Sequence, residues 1–256
     1  MYYGYIELIP KQEYDSEVVE ALLWQFLCAL ERNGQITKAY TIVKEQNYRL
    51  FVTFTKEDSF AEGNDGFYVR QNREKLKELF DLTVTVLGEN LSSGRYCTCG
   101  ERSALEMVTH RFDEDSPFVC LDCGRSVALY ELPLLGDDVY DEDYTVIQYW
   151  QENYSAIDTL WMNGLCDRYS GNQLVKFDSA LNKQGVLLAK ELEKKAGCRV
   201  YYHLSCAYGK SVKAKKIGQD HIHYCPSCGE LMERKKIAGL YTEDFCHTCA
   251  LCYDAH

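Results

Sequence analysis

Eight of the thirteen cysteines stand as four close pairs: Cys97 with Cys99, Cys120 with Cys123, Cys225 with Cys228, and Cys246 with Cys249. Each pair marks a short knuckle, and the two knuckles of each set are separated by about the length of a β-hairpin. A tetrahedral ion with thiolate ligands takes two donors from one tight turn and two from a second turn brought against it. The spacing predicts two structural Zn²⁺ sites in two zinc ribbons, and any fold of this chain has to close both sets.

The C-terminal set is the more regular. In Cys225-Pro-Ser-Cys228-Gly229 the proline starts the turn and the glycine supplies the positive φ that follows it, which lets backbone N–H groups point at sulfur. In the first set Cys120-Leu-Asp-Cys123-Gly124 has the usual spacing, whereas Cys97-Thr-Cys99-Gly100 is one residue short. That leaves open a site completed by His110 or a water in place of Cys97. Cys252 repeats the spacing after Cys249 and could exchange with Cys246; Cys246 and Cys249 are the expected ligands, with Cys252 spare. Cys28, on an apolar helical face, reads as a core residue. A third site built from Cys166, Cys198, Cys206 and His203 is not expected, because Cys198, Val200 and Tyr202 alternate as in a strand.

An odd number of cysteines argues against a secreted disulfide scaffold, and no apolar run approaches membrane-spanning length. The opening Met-Tyr-Tyr-Gly-Tyr-Ile-Glu has no basic stretch followed by an apolar one. These features suggest a cytoplasmic metalloprotein with no membrane partner.

Residues 1–90 read as one α+β unit. A strand-like opening from Tyr3 to Leu8 precedes Val18, Val19, Leu22, Leu23, Phe26, Leu27 and Leu30 at helical spacing, ended by Gly34. Ala39–Val43 and Arg49–Phe54 suggest a hairpin turning at Glu45-Gln46-Asn47. A helix with Val69, Leu76, Leu79 and Phe80 on one side then leads into a strand from Leu82 to Leu87. The order βαββαβ is that of a ferredoxin-like unit. Residues 91–133 form the first ribbon and 134–205 a helical segment with a closing strand. In that segment Ile147, Trp150, Tyr154, Ile157 and Trp161 mark one helix stopped by Gly164, and Leu174 to Leu192 a second ending at Gly197. Arg199–Leu204 forms the strand, and residues 206–256 the C-terminal ribbon.

No catalytic motif is present. Gly209-Lys210-Ser211 imitates the end of a phosphate loop, but Leu204 stands where the cradle's first glycine belongs. HExxH, GxSxG and the deaminase pattern are absent. Four-thiolate zinc sites have no open position for water, so the expectation is a protein that is not an enzyme.

Between Asp113 and Asp143 stand ten acidic residues and one basic residue, Arg125, within a chain of net charge −11. A phosphate backbone is repelled there and a cationic protein surface attracted. Asp113, Glu114, Asp115, Asp137, Asp138, Asp141, Glu142 and Asp143 are the candidate partner-binding residues. Lys210, Lys213, Lys215, Lys216, Arg234, Lys235 and Lys236 make a basic patch around the second ribbon, but Asp220, Glu230, Glu233, Glu243, Asp244 and Asp254 nearly cancel it. Nucleic-acid binding is expected to be weak or absent.

Trp150-Gln-Glu-Asn-Tyr154 with Asp158-Thr-Leu160, Gln173-Leu174, Ser179-Ala-Leu181, Arg199-Val-Tyr-Tyr202-His-Leu204 and the two C-terminal knuckles resemble a bacterial family described as zinc-ribbon-containing, possibly nucleic-acid-binding proteins. The resemblance covers roughly residues 95 to 252. The chain departs from it in the short Cys97-Thr-Cys99 knuckle and in Ala-Leu-Cys252 after Cys249. For some members the resemblance implies a role as immunity proteins to polymorphic secreted toxins of the Rhs type. Combined with the acidic run, it points to a zinc protein that neutralises a cognate toxin by covering its basic cleft. The alternative is nucleic-acid binding through the second ribbon.

Overall fold

Alternation of small or apolar residues with outward ones makes a strand of Tyr2–Pro10 (β1): Gly4, Ile6 and Leu8 face inward. In the computed structural model, which describes residues 1–91, 96–110, 115–135, 144–205, 214–217 and 220–254, the chain divides into two compact units. The first comprises Met1–Tyr96, Glu114–Ser116 and Val127–Thr145, and the second Cys97–Asp113, Pro117–Ser126 and Val146–His256.

In the first unit β1 is followed by α1 (Ser16–Arg32), β2 (Ile36–Lys44), β3 (Tyr48–Phe54), α2 (Phe67–Leu79) and β4 (Phe80–Glu89). The sheet runs β2-β3-β1-β4, antiparallel throughout. Asp15 starts α1 by accepting the Glu17 N–H at 2.9 Å, and Gly34, at φ 74°, turns the chain out after it. Phe80, expected on the second helix, instead caps it in extended conformation and opens β4. Its fully buried ring packs edge-on against Tyr48.

Val19, Leu23, Phe26, Leu27 and Leu30 of α1 and Val69 and Leu76 of α2 bury one face of the sheet in a core with Ile6, Leu8, Leu50, Val52 and Phe54. Each such side chain contributes about 1.5–3 kcal/mol. The only ion pair of the described residues with both partners at or below 3% side-chain exposure and a permanently charged cation is Arg73–Asp65. Arg73 donates to both carboxylate oxygens, at 2.5 and 2.8 Å, and its guanidinium lies 3.8 Å from the centre of the Phe60 ring.

The second unit is built on a seven-stranded sheet. Its strands are β5 (Ala104–Met107), β6 (Phe118–Cys120), β7 (Arg125–Ser126), β8 (Arg199–His203), β11 (Glu233–Ile237), β12 (Tyr241–Cys246) and β13 (Leu251–Asp254); a separate hairpin pairs β9 (Ala214–Ile217) with β10 (Asp220–His223). The order is β11-β12-β13-β8-β5-β6-β7, with β8 parallel to both its neighbours and the other pairs antiparallel. The strands of the two cysteine-rich segments, which the sequence presents as two ribbons on either side of a helical segment, thus lie in one sheet. Strand β8 joins them through Leu105↔Val200 on one side and Cys252↔His203 on the other.

Between β7 and β8 run α3 (Thr145–Met162), α4 (Asp167–Val175) and α5 (Ala180–Ala196). The expected single helix from Leu174 to Leu192 is broken. Ser179 caps α5 by accepting the Asn182 N–H at 3.1 Å, and the Asn182 amide donates to the Leu174 and Lys176 carbonyls at the end of α4. These side-chain bonds satisfy groups that a continuous helix would pair internally. No helix among the described residues is long and apolar enough to cross a membrane.

Candidate metal centres

Cys97, Cys99, Cys120 and Cys123 converge, as do Cys225, Cys228, Cys246 and Cys249, with the four sulfurs of each set within 4.8 Å of one another. Each set joins a knuckle in a loop to a knuckle at a strand end, Cys120 closing β6 and Cys246 closing β12. His110 does not enter the first set, and Cys252 does not enter the second. All twelve cysteines among the described residues are free thiols, and Cys206 lies outside those residues.

The knuckles share a backbone device. The residue after the second cysteine is left-handed in three of them: Gly124 at φ 68°, Gly229 at 77° and Ala250 at 55°. The Gly124 N–H reaches back to the Cys120 carbonyl at 2.7 Å and that of Gly229 to Cys225 at 2.9 Å. Backbone N–H groups also meet sulfur, from Cys99 to Cys97 at 3.3 Å and from Cys249 to Cys246 at 3.4 Å. Gly100 in the short knuckle is not left-handed. The spacing of Cys97 and Cys99 therefore changes the turn without removing a sulfur from the set.

Zn–S bonds of about 2.3 Å in a tetrahedron place sulfurs about 3.8 Å apart. Cys228 and Cys246 stand at 3.6 Å. Burial resists ionisation of Cys97, but Arg102 and the Cys99 N–H pull its thiol down to about 7. Burial pushes the neighbouring thiols of Cys120 and Cys123 up. In the second set burial likewise opposes ionisation of Cys249, yet Ser227 and the adjacent thiols lower it, while burial raises Cys246. Each set thus couples a readily formed thiolate to thiols that resist ionisation, and a cation that all four sulfurs share removes that resistance.

A third convergence escapes the sequence reading. Glu106, His203, Glu243 and Cys252 are 1%, 5%, 3% and 0% exposed, and one donor atom from each lies within the same 4.8 Å span. Burial and the facing Glu106 carboxylate push the Glu243 carboxyl up to about 9. Its signal in the sequence was a carboxylate inside an apolar strand, Leu105-Glu106-Met107, together with Glu243 ahead of Phe245.

Of the acidic candidates, Asp113, Glu114, Asp137, Asp138, Asp141, Glu142 and Asp143 lie outside the described residues; Asp115 is half-buried in the first unit. Two other acids of the run have internal partners. Asp122 accepts the Ser103 N–H at 2.7 Å, and Glu131 pairs with Lys56. In the basic patch, Lys210 and Lys213 lie outside the described residues, Lys235 and Lys236 are exposed, and Arg234 bonds the fully buried Asp244 at 2.8 Å.

Residues 100–205 match the family described as "Domain of unknown function (DUF2310)". The match contains Cys120 and Cys123 but stops before the second cysteine set. Two Haemophilus influenzae relatives, each bearing the name "Uncharacterized protein", are similar to the chain. One is 28% identical over 214 residues, covering 80% of this chain and 77% of the relative. The other is 36% identical over 103 residues, covering 40% of this chain and 48% of the relative.

Proposed function

We propose that the two cysteine sets hold Zn²⁺ as structural ions and that the protein is a cytoplasmic, non-enzymatic binder of another protein. The closed four-thiolate geometry carries this reading. Four cysteine donors fill a tetrahedral ion and leave no position for a substrate or an activated water, so the ions serve to brace a sheet. The first unit's element order and antiparallel β2-β3-β1-β4 sheet support reading it as a ferredoxin-like unit.

The partner proposed is a toxin with a basic cleft, which the protein neutralises as an immunity protein. The support is the acidic run from Asp113 to Asp143, strongly one-signed in sequence. Asp113, Glu114, Asp115, Asp137, Asp138, Asp141, Glu142 and Asp143 are the proposed docking residues; Asp122 and Glu131 of the same run serve internal contacts. The test is co-expression of a toxin gene adjacent to this one with wild-type protein or with Asp137, Asp138 and Asp141 changed to Lys. Survival with wild type and death with the triple variant supports the reading; equal survival with both removes the acidic run from the interface.

Nucleic-acid binding through the second cysteine set is the second reading, favoured by exposed Lys235 and Lys236. Arg234, tied to Asp244, is engaged inside the protein. Sub-micromolar RNA or DNA binding at about 150 mM salt, lost on Lys213→Glu with Lys235→Glu, would place this reading first.

A further inference from the structure

We propose that Glu106, His203, Glu243 and Cys252 form a third metal site, for a single divalent transition-metal ion of the Zn²⁺ class, at the middle of the seven-stranded sheet.

The strand registers bring the four residues to one face. Glu106 of β5 pairs with Tyr201 of β8, and His203 stands two residues on from Tyr201, hence on the same side. His203 pairs with Cys252 of β13. Cys252 pairs with Phe245 of β12, and Glu243 lies two residues before it. Four adjacent strands thus each contribute one donor, and none of the four comes from a loop.

The donor atoms are spaced for a small ion. Bonds of about 2.0–2.3 Å to a tetrahedral ion place N, O and S donors about 3.3–3.8 Å apart. The Nδ1 of His203 is 3.7 Å from Glu243 Oε1 and 4.0 Å from Cys252 Sγ, and Sγ is 3.7 Å from Glu106 Oε1. The shortest approach, 2.8 Å from Nδ1 to Glu106 Oε1, is a direct hydrogen bond, and at 3.7 Å the Cys252 thiol also donates to Glu106 Oε1.

Hydrogen bonding alone leaves this cluster unbalanced. The donors of the cluster converge on Glu106: the His203 ring and the Cys252 S–H reach its Oε1, and the Tyr241 O–H reaches its Oε2 at 3.3 Å. Glu243 Oε2 is buried with no hydrogen-bond partner. Buried polar atoms are ordinarily paired, so an orphaned carboxylate oxygen beside three metal-ligating side chains points to a cation. On the outer side of the ring, His203 Nε2 is also buried with no hydrogen-bond partner, and Asp254 Oδ2 stands 3.4 Å from it. A carboxylate behind a histidine is how metal-ligating imidazoles are oriented. The mixed N, O and S donor set suits Zn²⁺, with Co²⁺ as its spectroscopic substitute, and does not suit Mg²⁺ or Ca²⁺. With four buried donors the ion would be structural. It would clamp β5, whose neighbour β6 ends in Cys120, to β12, which ends in Cys246.

The site is independent of the cysteine sets, and Co²⁺ titration of the full chain under reducing conditions separates the two. Wild type should take up three equivalents, with an intense sulfur charge-transfer band from the four-thiolate sites and a weaker contribution from the mixed site. Glu243→Gln, which preserves volume, and Cys252→Ser should each lose one equivalent while the intense band stays. Asp254→Asn should weaken the third equivalent about 10- to 100-fold. Uptake of only two equivalents by wild type, both on the intense band, overturns the proposal and needs no variant to fold. So does full uptake by both folded variants. If the cysteine sets themselves fail to bind, the intense band is missing and the third equivalent persists alone.

Discussion

Gly185 of α5 is closed off by the ring of Tyr202 on β8: a methyl group at its Cα would stand 2.6 Å from the tyrosine Cζ and 2.7 Å from Trp150 Nε1. Tyr202 is fixed there by donating its hydroxyl hydrogen to Asn182 Oδ1 at 2.8 Å, so the ring has no freedom to retreat. A glycine inside a helix is therefore the residue that lets α5 approach the sheet.

Gly185→Ala sets two effects against each other. Helix propensity favours alanine by about 1 kcal/mol. Forcing a methyl group into a filled core costs about 1–3 kcal/mol, and here the neighbours are two large rings. The expected outcome is net destabilisation of the second unit, read as a lower thermal midpoint. A midpoint equal to or above that of wild type would show that α5 can shift away from Tyr202.

How much of this was legible beforehand depends on the range of the signal. The knuckles announced themselves because their spacing is local, and so did α1 and β1, whose apolar periods of 3.6 and 2 are local too. The break between α4 and α5 was hidden, since Leu174, Leu181 and Leu188 keep helical phase across it. It is Ser179 and Asn182 that divert the backbone. The parallel pairing of β8 with β5 and β13 joins segments nearly a hundred residues apart in sequence on one side, and no periodicity encodes it. For the same reason Glu106, His203, Glu243 and Cys252 were invisible as a group, each sitting alone in its own strand.

In the first unit, Asp65→Ala removes the partner of a buried guanidinium. Arg73 keeps its place over the Phe60 ring and its bond to the Phe60 carbonyl, but its charge is then uncompensated. Breaking such a pair on one side costs about 3–5 kcal/mol. Gln35, which donates to the Asp65 carboxylate at 3.1 Å, loses an acceptor as well. Chemical denaturation should show a loss of that size confined to the first unit. A loss under 1 kcal/mol would mean that water reaches Arg73.

The knuckle glycines should separate strain from crowding. Gly229→Ala meets no atom within 4 Å, so its cost is that of a left-handed alanine, about 1–2 kcal/mol. Gly124→Ala carries the same backbone cost and also brings its methyl group to 2.8 Å from Leu240 Cδ1, so it should be the more destabilising. Leu240 is exposed and can move, which keeps the excess small. At Ala250 the reverse change to glycine relieves that strain but exposes a cavity where a buried methyl worth about 0.8 kcal/mol was packed, so stability should barely change. Urea midpoints of the three variants, taken with metal content held equal, test the order; Gly229→Ala costing more than Gly124→Ala would refute it.

Metal removal should act on one unit and spare the other. The second unit's sheet takes β6, β7, β11 and β12 from the hairpins that carry the cysteines, and its satellite core there is small: Leu121, Tyr201, Ile237, Phe245, Ala250 and Cys252. The first unit has a seventeen-residue core, and none of the metal-ligating sets found among the described residues lies in it. Structural zinc supplies on the order of 10 kcal/mol or more to a small cysteine-bound fold. Chelation at neutral pH, or Cys228→Ser, should therefore abolish or sharply lower the calorimetric transition of the second unit, and leave in place the transition that Asp65→Ala shifts. Cys228 is the exposed member of its set, so serine there removes a ligand with little loss of packing, and the effect reports on the ion. A single transition, moved equally by chelation and by Asp65→Ala, would show that the two units unfold together, and retention of both transitions after chelation would show that the sulfurs hold no structural metal.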